Sequence, residues 1–281
     1  MKLLERDAPR SAWAEAAGQT NPLYEVYNFI RKTLVIAEME ARKLAHDPTE
    51  VLTRSVQPAL WLLIFGQVFT QLHAIPTGGV SYIAFMAPGI LAQSVLFISI
   101  FYGIAVIWER DLGILHKFLA SPTPRTALVL GKGLSAGVRA LILVTIIYLL
   151  ALVLGVQMNW NPLALLGVLF AALLGAVFFA TLSLIIACLV KSRDRFMGIG
   201  QVLTMPLFFA SNAIYPISIM PAWLQVISHG NPLSYEVDAL RAMMLYQGTS
   251  TFGLGLDFAV LIIATTILVI IAGKLYPSVA V

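Results

Sequence analysis

The sequence predicts an all-α polytopic membrane protein with six transmembrane helices, and three observations carry the prediction. First, 59% of its 281 residues are hydrophobic and only 11% are charged, with a mean hydropathy of +0.87. Soluble domains carry roughly 25% charged residues, so this much apolar surface points to lipid as the solvent. Second, the apolar residues are gathered into long runs separated by short polar turns. Third, 17 of the 18 Lys and Arg residues fall on one side of the resulting topology, with Arg241 alone on the other. The positive-inside rule then puts both termini in the cytoplasm of a multi-pass protein of the cell (inner) membrane.

Residues 1–23 read as a polar tail, and MKLLERDAPR lacks the apolar core of a cleavable signal peptide. Insertion is therefore expected to rely on the spans. Residues 24–46 have helical periodicity but too many charges to cross a bilayer. Val26, Phe29, Ile30, Leu34, Ala37, Ala41 and Leu44 recur at three- and four-residue steps, which predicts an amphipathic helix lying in the interface. Asp47-Pro48 with Glu50 is a helix-start signal. It opens a single transmembrane domain, 47–281, with spans at about 51–72, 81–107, 126–155, 163–190, 196–215 and 254–273.

The connections are as informative as the spans. WERDLGILHKFLASPTPR, residues 108–125, is a charged amphipathic stretch closed by prolines, and 108–122 is expected to form a cytoplasmic helix. Trp108, Leu112, Leu115 and Leu119 share one side, extended by Ile114 and Phe118. Glu109, Arg110, His116 and Lys117 occupy the opposite arc, and Asp111 falls inside the apolar one. Such a face fits either a groove on another protein or the lipid headgroups. The fifth run is broken by Gly198, Gly200 and Pro206. The segment after it, 216–250, contains Pro216, Pro221 and Pro232. It reads as an outer re-entrant pair of helices: one from Pro221 to a left-handed cap at Gly230, the next capped by Asn231 with Pro232 in its first turn. Broken backbone at membrane depth requires cover by protein or a water-filled cavity.

Several chemistries are excluded or disfavoured. Gly131-Lys132 lacks the other residues of a Walker-type loop, so this chain is not expected to bind ATP in that way. The four histidines are scattered, and the single cysteine, Cys188, lies in an apolar run, so neither a metal cluster nor a disulfide is expected. The net charge of +4 is explained by topology rather than by a nucleic-acid partner. Arg139 is expected below the membrane surface, reaching back toward it. The spans hold few ionisable groups. Their neutral polar residues read either as interhelical hydrogen bonds or as the lining of a substrate path. The candidates for such a path are Gln93, Gln201 and Thr204, with Phe208, Ser211 and Asn212 at the broken fifth segment. On the outer side, Asp238 and Arg241 are three residues apart and predict a local helix-surface pair beside Glu236.

Three blocks of the sequence resemble the permease subunits of type-2 ABC exporters, near the drug-resistance and nodulation-factor export branch. They are HDPTEVLTRSVQPALWLLIFGQVF (46–69), the stretch at 108–125 with Glu109, Arg110, Gly113, Leu115, Ser121, Pro122 and Arg125, and PLFFASNAIYPISIMPAWLQVISHGNPLSYEVDALR (206–241). His116 and Phe118 depart from the residues usual at their positions. The resemblance implies a half-transporter, not itself an enzyme, that pairs with a second permease, identical or related, within membrane lipid. It further implies two separate ATPase subunits that bind ATP and Mg. The 108–122 stretch is then the coupling helix, with Glu109, Arg110, Leu112, Leu115, His116, Phe118, Leu119, Ser121 and Pro122 as ATPase contacts. An amphipathic, drug-like or lipid-like molecule is the expected cargo. Export of a lipid-linked glycan or polysaccharide is the alternative within the class. An ion-coupled carrier using Asp257 and an intramembrane enzyme using Glu236 and Asp238 are the alternatives outside it.

Overall fold

The computed structural model describes residues 22–46, 49–72, 75, 77, 79–114, 123–190 and 192–276. Helix α1 spans Pro22–His46, followed by α2, Thr49–Leu60, a π-helical segment, Trp61–Gly66, and α3, Gln67–Leu72. Next come α4, Tyr82–Phe101; α5, Gly103–Asp111; α6, Arg125–Val153; α7, Pro162–Leu189; and α8, Arg193–Phe209. A 3-10 turn, Ile217–Ile219, precedes α9, Ala222–His229, α10, Pro232–Met244, and α11, Leu254–Leu275. Among the described residues there is no strand, and the extended pairing is one isolated bridge between Met158 and Leu245.

Four helices are long and apolar enough to cross a membrane: Tyr82–Asp111, Arg125–Val153, Pro162–Leu189 and Leu254–Leu275. The expected first span is helical from Thr49 to Leu72 but changes pitch midway. Pro58 lies inside α2 and has no N–H to give to the ladder. The wider π turn follows directly, with Trp61 and Phe65 stacked at 4.5 Å. The expected fifth span, 196–215, starts earlier and ends earlier, at Phe209. Pro206 removes one donor near its end, and the chain leaves the helix one turn later.

Helix α4 is apolar on all sides and buried on all sides, so it forms the axis of the bundle, packed by α6, α7 and α10. Small residues let α6 and α7 approach closely: Gly133 meets Val177 and Gly137 meets Leu173. Helix α11 turns Asp257 and Thr265 inward and presents Ile262, Ile263, Ile267, Ile270 and Ile271 outward. That apolar outer face suits lipid tails. In α1 the apolar positions divide. Thr33, Ile36 and Ala37 pack inward, with Ile36 against Gly131, whereas Val26, Ile30 and Leu34 remain exposed.

The second long helix is interrupted once, at Tyr102. The Ser183 side chain of α7 causes the interruption. Its hydroxyl accepts from the Gly103 N–H at 3.0 Å and donates to the Ile100 carbonyl. A side chain inserted into the ladder in this way kinks a helix. Only glycine fits at 103, since a Cβ there would overlap the Ser183 hydroxyl and the Phe196 ring. Beyond the kink, α5 runs on through Asp111. Trp108–Asp111 therefore continue the long helix, and the expected boundary at 108 moves to Leu112–Gly113. Gly113, with φ of 70°, makes the turn.

The hairpin helices begin and end close to their sequence signals. Asn231 caps α10 by accepting from the Leu233 N–H at 3.1 Å, with Pro232 in the first turn. Gly230 closes α9 but not in the left-handed conformation expected. Its φ is −86°, and its N–H is taken up by Val226 and Ile227 carbonyls as the chain turns directly into α10.

Candidate functional site

The end of α5 is held by two ion pairs of different character. Glu109 turns inward and accepts from Lys132 of α6 at 2.5 Å, with both side chains buried. A lysine deep in an apolar helix requires such a partner. Asp111 lies on the opposite side of the helix end. It accepts from Arg110 at 3.1 Å and from Arg193, at the start of α8, at 2.6 Å. The Arg193 guanidinium also stacks over the Trp108 ring, 3.6 Å from its centroid. The ends of α5, α6 and α8 are thereby tied together where the polar stretch begins.

Of the expected ATPase contacts, Glu109 is spent on the inward pair, Arg110 is half-buried beside Asp111, and Leu112 is exposed past the helix end. Leu115, His116, Phe118, Leu119, Ser121 and Pro122 lie outside the described residues. Lys132 and Arg193 were missed by the sequence reading. The available signal was a lysine inside an otherwise apolar helix. Arg139, about two turns further on, reaches back to Ser135, donating to its hydroxyl at 2.9 Å, and lies over Tyr102.

At the other end of the bundle the chain between α8 and the 3-10 turn is non-helical, and side chains take up the last three carbonyls of α8 and two in the turn. Leu207 accepts from Asn231 Nδ2 at 2.7 Å, Phe208 from the Ser211 hydroxyl at 2.7 Å, and Phe209 from the Tyr215 hydroxyl. Asn212 accepts from Arg241 at 2.7 Å and Ile214 from the Tyr82 hydroxyl at 3.0 Å. These donors come from α4, the hairpin and the turn itself. The broken backbone is thus covered by protein, the condition that membrane depth imposes.

The hairpin's charged residues are buried, which overturns the expected surface pair. Arg241 stacks on Phe85 at 3.9 Å and points at the 210s turn. Asp238 instead accepts from the Thr251 and Phe252 N–H groups at 2.6 and 2.9 Å and from the Ser250 hydroxyl, pinning the loop before α11. Ser250 also contacts Asp257 at 2.9 Å. Glu236 is fully buried against Gly175 of α7, with no hydrogen-bond partner for either carboxyl oxygen among the described residues. Local spacing suggested a surface, but the helix is enclosed by α4, α7 and α11.

The six path candidates do not converge on one channel. Gln201 is exposed, and the Thr204 hydroxyl bonds its own helix at Gly200. Ser211 serves the turn, and Phe208 packs edge-on to Trp61. Asn212 lines a cavity of about 340 Å³ at the hairpin end together with Phe85, Ser218 and Arg241. Gln93 lines a separate cavity of about 250 Å³ between α2, α4 and α6.

Comparison with known proteins agrees with this architecture. Residues 31–245 match the family model described as ABC-2 type transporter. A putative transport permease of Cyanophora paradoxa, ycf38, is 30% identical over 224 residues, covering 79% of this chain and 76% of that one. The daunorubicin resistance ABC transporter permease protein DrrB1 of Streptomyces coeruleorubidus is 28% identical over 210 residues, 74% of this chain and 72% of its own. Nodulation protein J of Rhizobium leguminosarum bv. viciae is 30% identical over 171 residues, 60% and 65% of the two chains. The matched region runs from α1 through the buried hairpin, and the chain belongs to the ABC-2 type transporter family as a membrane-spanning permease.

Proposed function

We propose that this chain is the transmembrane subunit of an ATP-driven exporter that moves an amphipathic, drug-like or lipid-like molecule outward across the cell membrane. In this reading Thr49–Leu72 and Arg193–Phe209 complete a six-span set, both termini are cytoplasmic, and a second permease forms the other half. Two ATPase subunits, carrying ATP and Mg, dock on the 108–122 stretch. The observation that carries the reading is the double anchorage of the α5 end by Glu109–Lys132 and Asp111–Arg193. A segment that receives force from a partner needs fixed connections to the helices it moves. The relatives named for drug resistance and nodulation support export of an amphipath.

The test is co-expression with a candidate ATPase and purification of the membrane complex. The ATPase is expected to co-purify. Leu115→Asp or Phe118→Asp is expected to abolish assembly and export without removing the permease from the membrane. Neither loss of assembly nor loss of export in those variants, with no ATPase retained by the wild type, would reject the proposal.

A second reading, an ion-coupled carrier, is favoured by one feature, the buried Asp257 carboxyl beside Ser250. It predicts that Asp257→Asn abolishes transport and that transport proceeds without ATP.

A further inference from the structure

The cavity beside Gln93 combines a neutral polar wall with a buried acceptor that lacks a donor among the described residues. It lies between the middle and last turns of α2 and the later half of α4, with Leu143 of α6 as its back wall. Thr53 and Gln57 come from α2, and Gln93, Ser94 and Phe97 from α4. Among the described residues no Lys, Arg, Asp or Glu lines it. Gln93 is 5% exposed, and its carboxamide oxygen has no hydrogen-bond partner among the described residues. A buried acceptor left open in this way is destabilising until a donor reaches it. Ser94 has already given its proton to the Ile90 carbonyl at 2.7 Å, so its oxygen is also an acceptor here. On the facing helix Gln57 is exposed and brings a carboxamide with both a donor and an acceptor.

These features select a ligand. The wall offers acceptors at Gln93 and Ser94, one adaptable amide at Gln57 and an aromatic edge at Phe97. Its described residues offer no counter-charge for an ionised head, which is costly at membrane depth. The volume, about 250 Å³, is at or below the low end for a drug-sized ligand, and suits one polar head whose tail stays in the bilayer. We propose that this cavity is a loading site for the neutral, hydrogen-bond-donating head of an amphipathic molecule, such as a hydroxyl or amide group on an apolar tail. The proposal rests on the exporter reading for its purpose and on the cavity for its chemistry. In the topology of that reading, the site opens in the cytoplasmic half of the membrane.

The test uses the permease–ATPase complex in phosphatidylcholine nanodiscs. One probe is a long-chain alcohol carrying a diazirine next to its hydroxyl; the other is the phosphate monoester of the same alcohol. After illumination, peptide mapping is expected to find the alcohol on residues 53–58 and 93–98, with labelling by the phosphate at least tenfold weaker. Gln93→Leu is expected to lower the alcohol's labelling at least fivefold. Gln57→Leu, an exposed position that leaves the fold undisturbed, is expected to lower it severalfold and serves should Gln93→Leu fail to fold. Equal labelling by the two probes overturns the proposal, as does labelling spread over the outward face of α11. So does disulfide formation between Gln57→Cys residues of two copies with loss of labelling, since a second copy would then fill the cavity. ATPase stimulation by the alcohol is read in parallel. Specific labelling without stimulation or export would leave the site standing and remove the exporter reading.

Discussion

Asp111 and Arg193, 82 residues apart, meet at 2.6 Å, and the same guanidinium covers the Trp108 ring. This contact joins the end of α5 to the beginning of α8. A surface pair of this kind adds little to stability, so its value lies in transmission. Arg193→Ala is expected to leave the melting temperature of the purified permease nearly unchanged and to reduce ATP-dependent export severalfold. The charge-swapped double variant Asp111→Arg/Arg193→Asp is expected to recover part of it. Vesicle transport assays alongside thermal melts separate the two effects.

The Glu109–Lys132 pair is expected to behave in the opposite way, because it is buried. Removing one partner leaves a charge uncompensated, which costs about 3–5 kcal/mol. Glu109→Ala and Lys132→Ala should each lower yield and melting temperature sharply. Glu109→Gln with Lys132→Met should recover most of the loss. Fluorescence-detected size-exclusion chromatography over a temperature series measures this directly.

Ser183 props open the kink at Tyr102. Ser183→Ala leaves the Gly103 N–H without its acceptor, a loss of about 1–3 kcal/mol, and the helix is expected to straighten locally. Gly103→Ala forces the Cβ against Ser183 and Phe196 and is expected to be worse. Thermal melts should rank wild type above Ser183→Ala above Gly103→Ala.

Arg241 holds the Asn212 carbonyl while lying flat on Phe85. Lysine has neither the planar fork nor the stacking surface. Arg241→Lys is therefore expected to destabilise by about 1.5–3 kcal/mol, the range for hydrogen bonds to charged groups. A cysteine introduced at Ser218 should then react faster with a membrane-impermeant maleimide added from outside.

What the sequence disclosed follows from how far each signal reaches. The Asn231-Pro232 start of α10 and the stop at Gly230 were legible because each depends on two or three neighbouring residues. The left-handed cap at Gly230 was not found, because the immediate start of α10 redirects the chain. Asp111 fell in an apolar arc without explanation, since its partner lies beyond two further helices. The Asp238–Arg241 pair was misplaced for a related reason: spacing of three reports a shared helix face, not whether that face meets water. The path residues divide by what their side chains bond. Polarity identified Gln93 and Asn212, which line cavities, but equally Thr204 and Ser211, whose hydroxyls are consumed by nearby backbone. Gln57-Pro58 was marked only as part of the block at 46–69, and it took the fold to set Gln57 in one cavity with Gln93.

The turn at 207–214 has its carbonyls fastened by Asn231, Arg241 and Tyr82, so the hairpin cannot swing away from α4 by itself. Doing so would break several hydrogen bonds at once. The rim at the hairpin end is therefore a stiff plate fixed to a shaft, and α4 is the shaft. Tilting α4 from the Tyr102 end moves that plate with it. The joint at Tyr102 lies between the handle and the plate, which makes it a place along this lever where travel at the far end can be stored or lost.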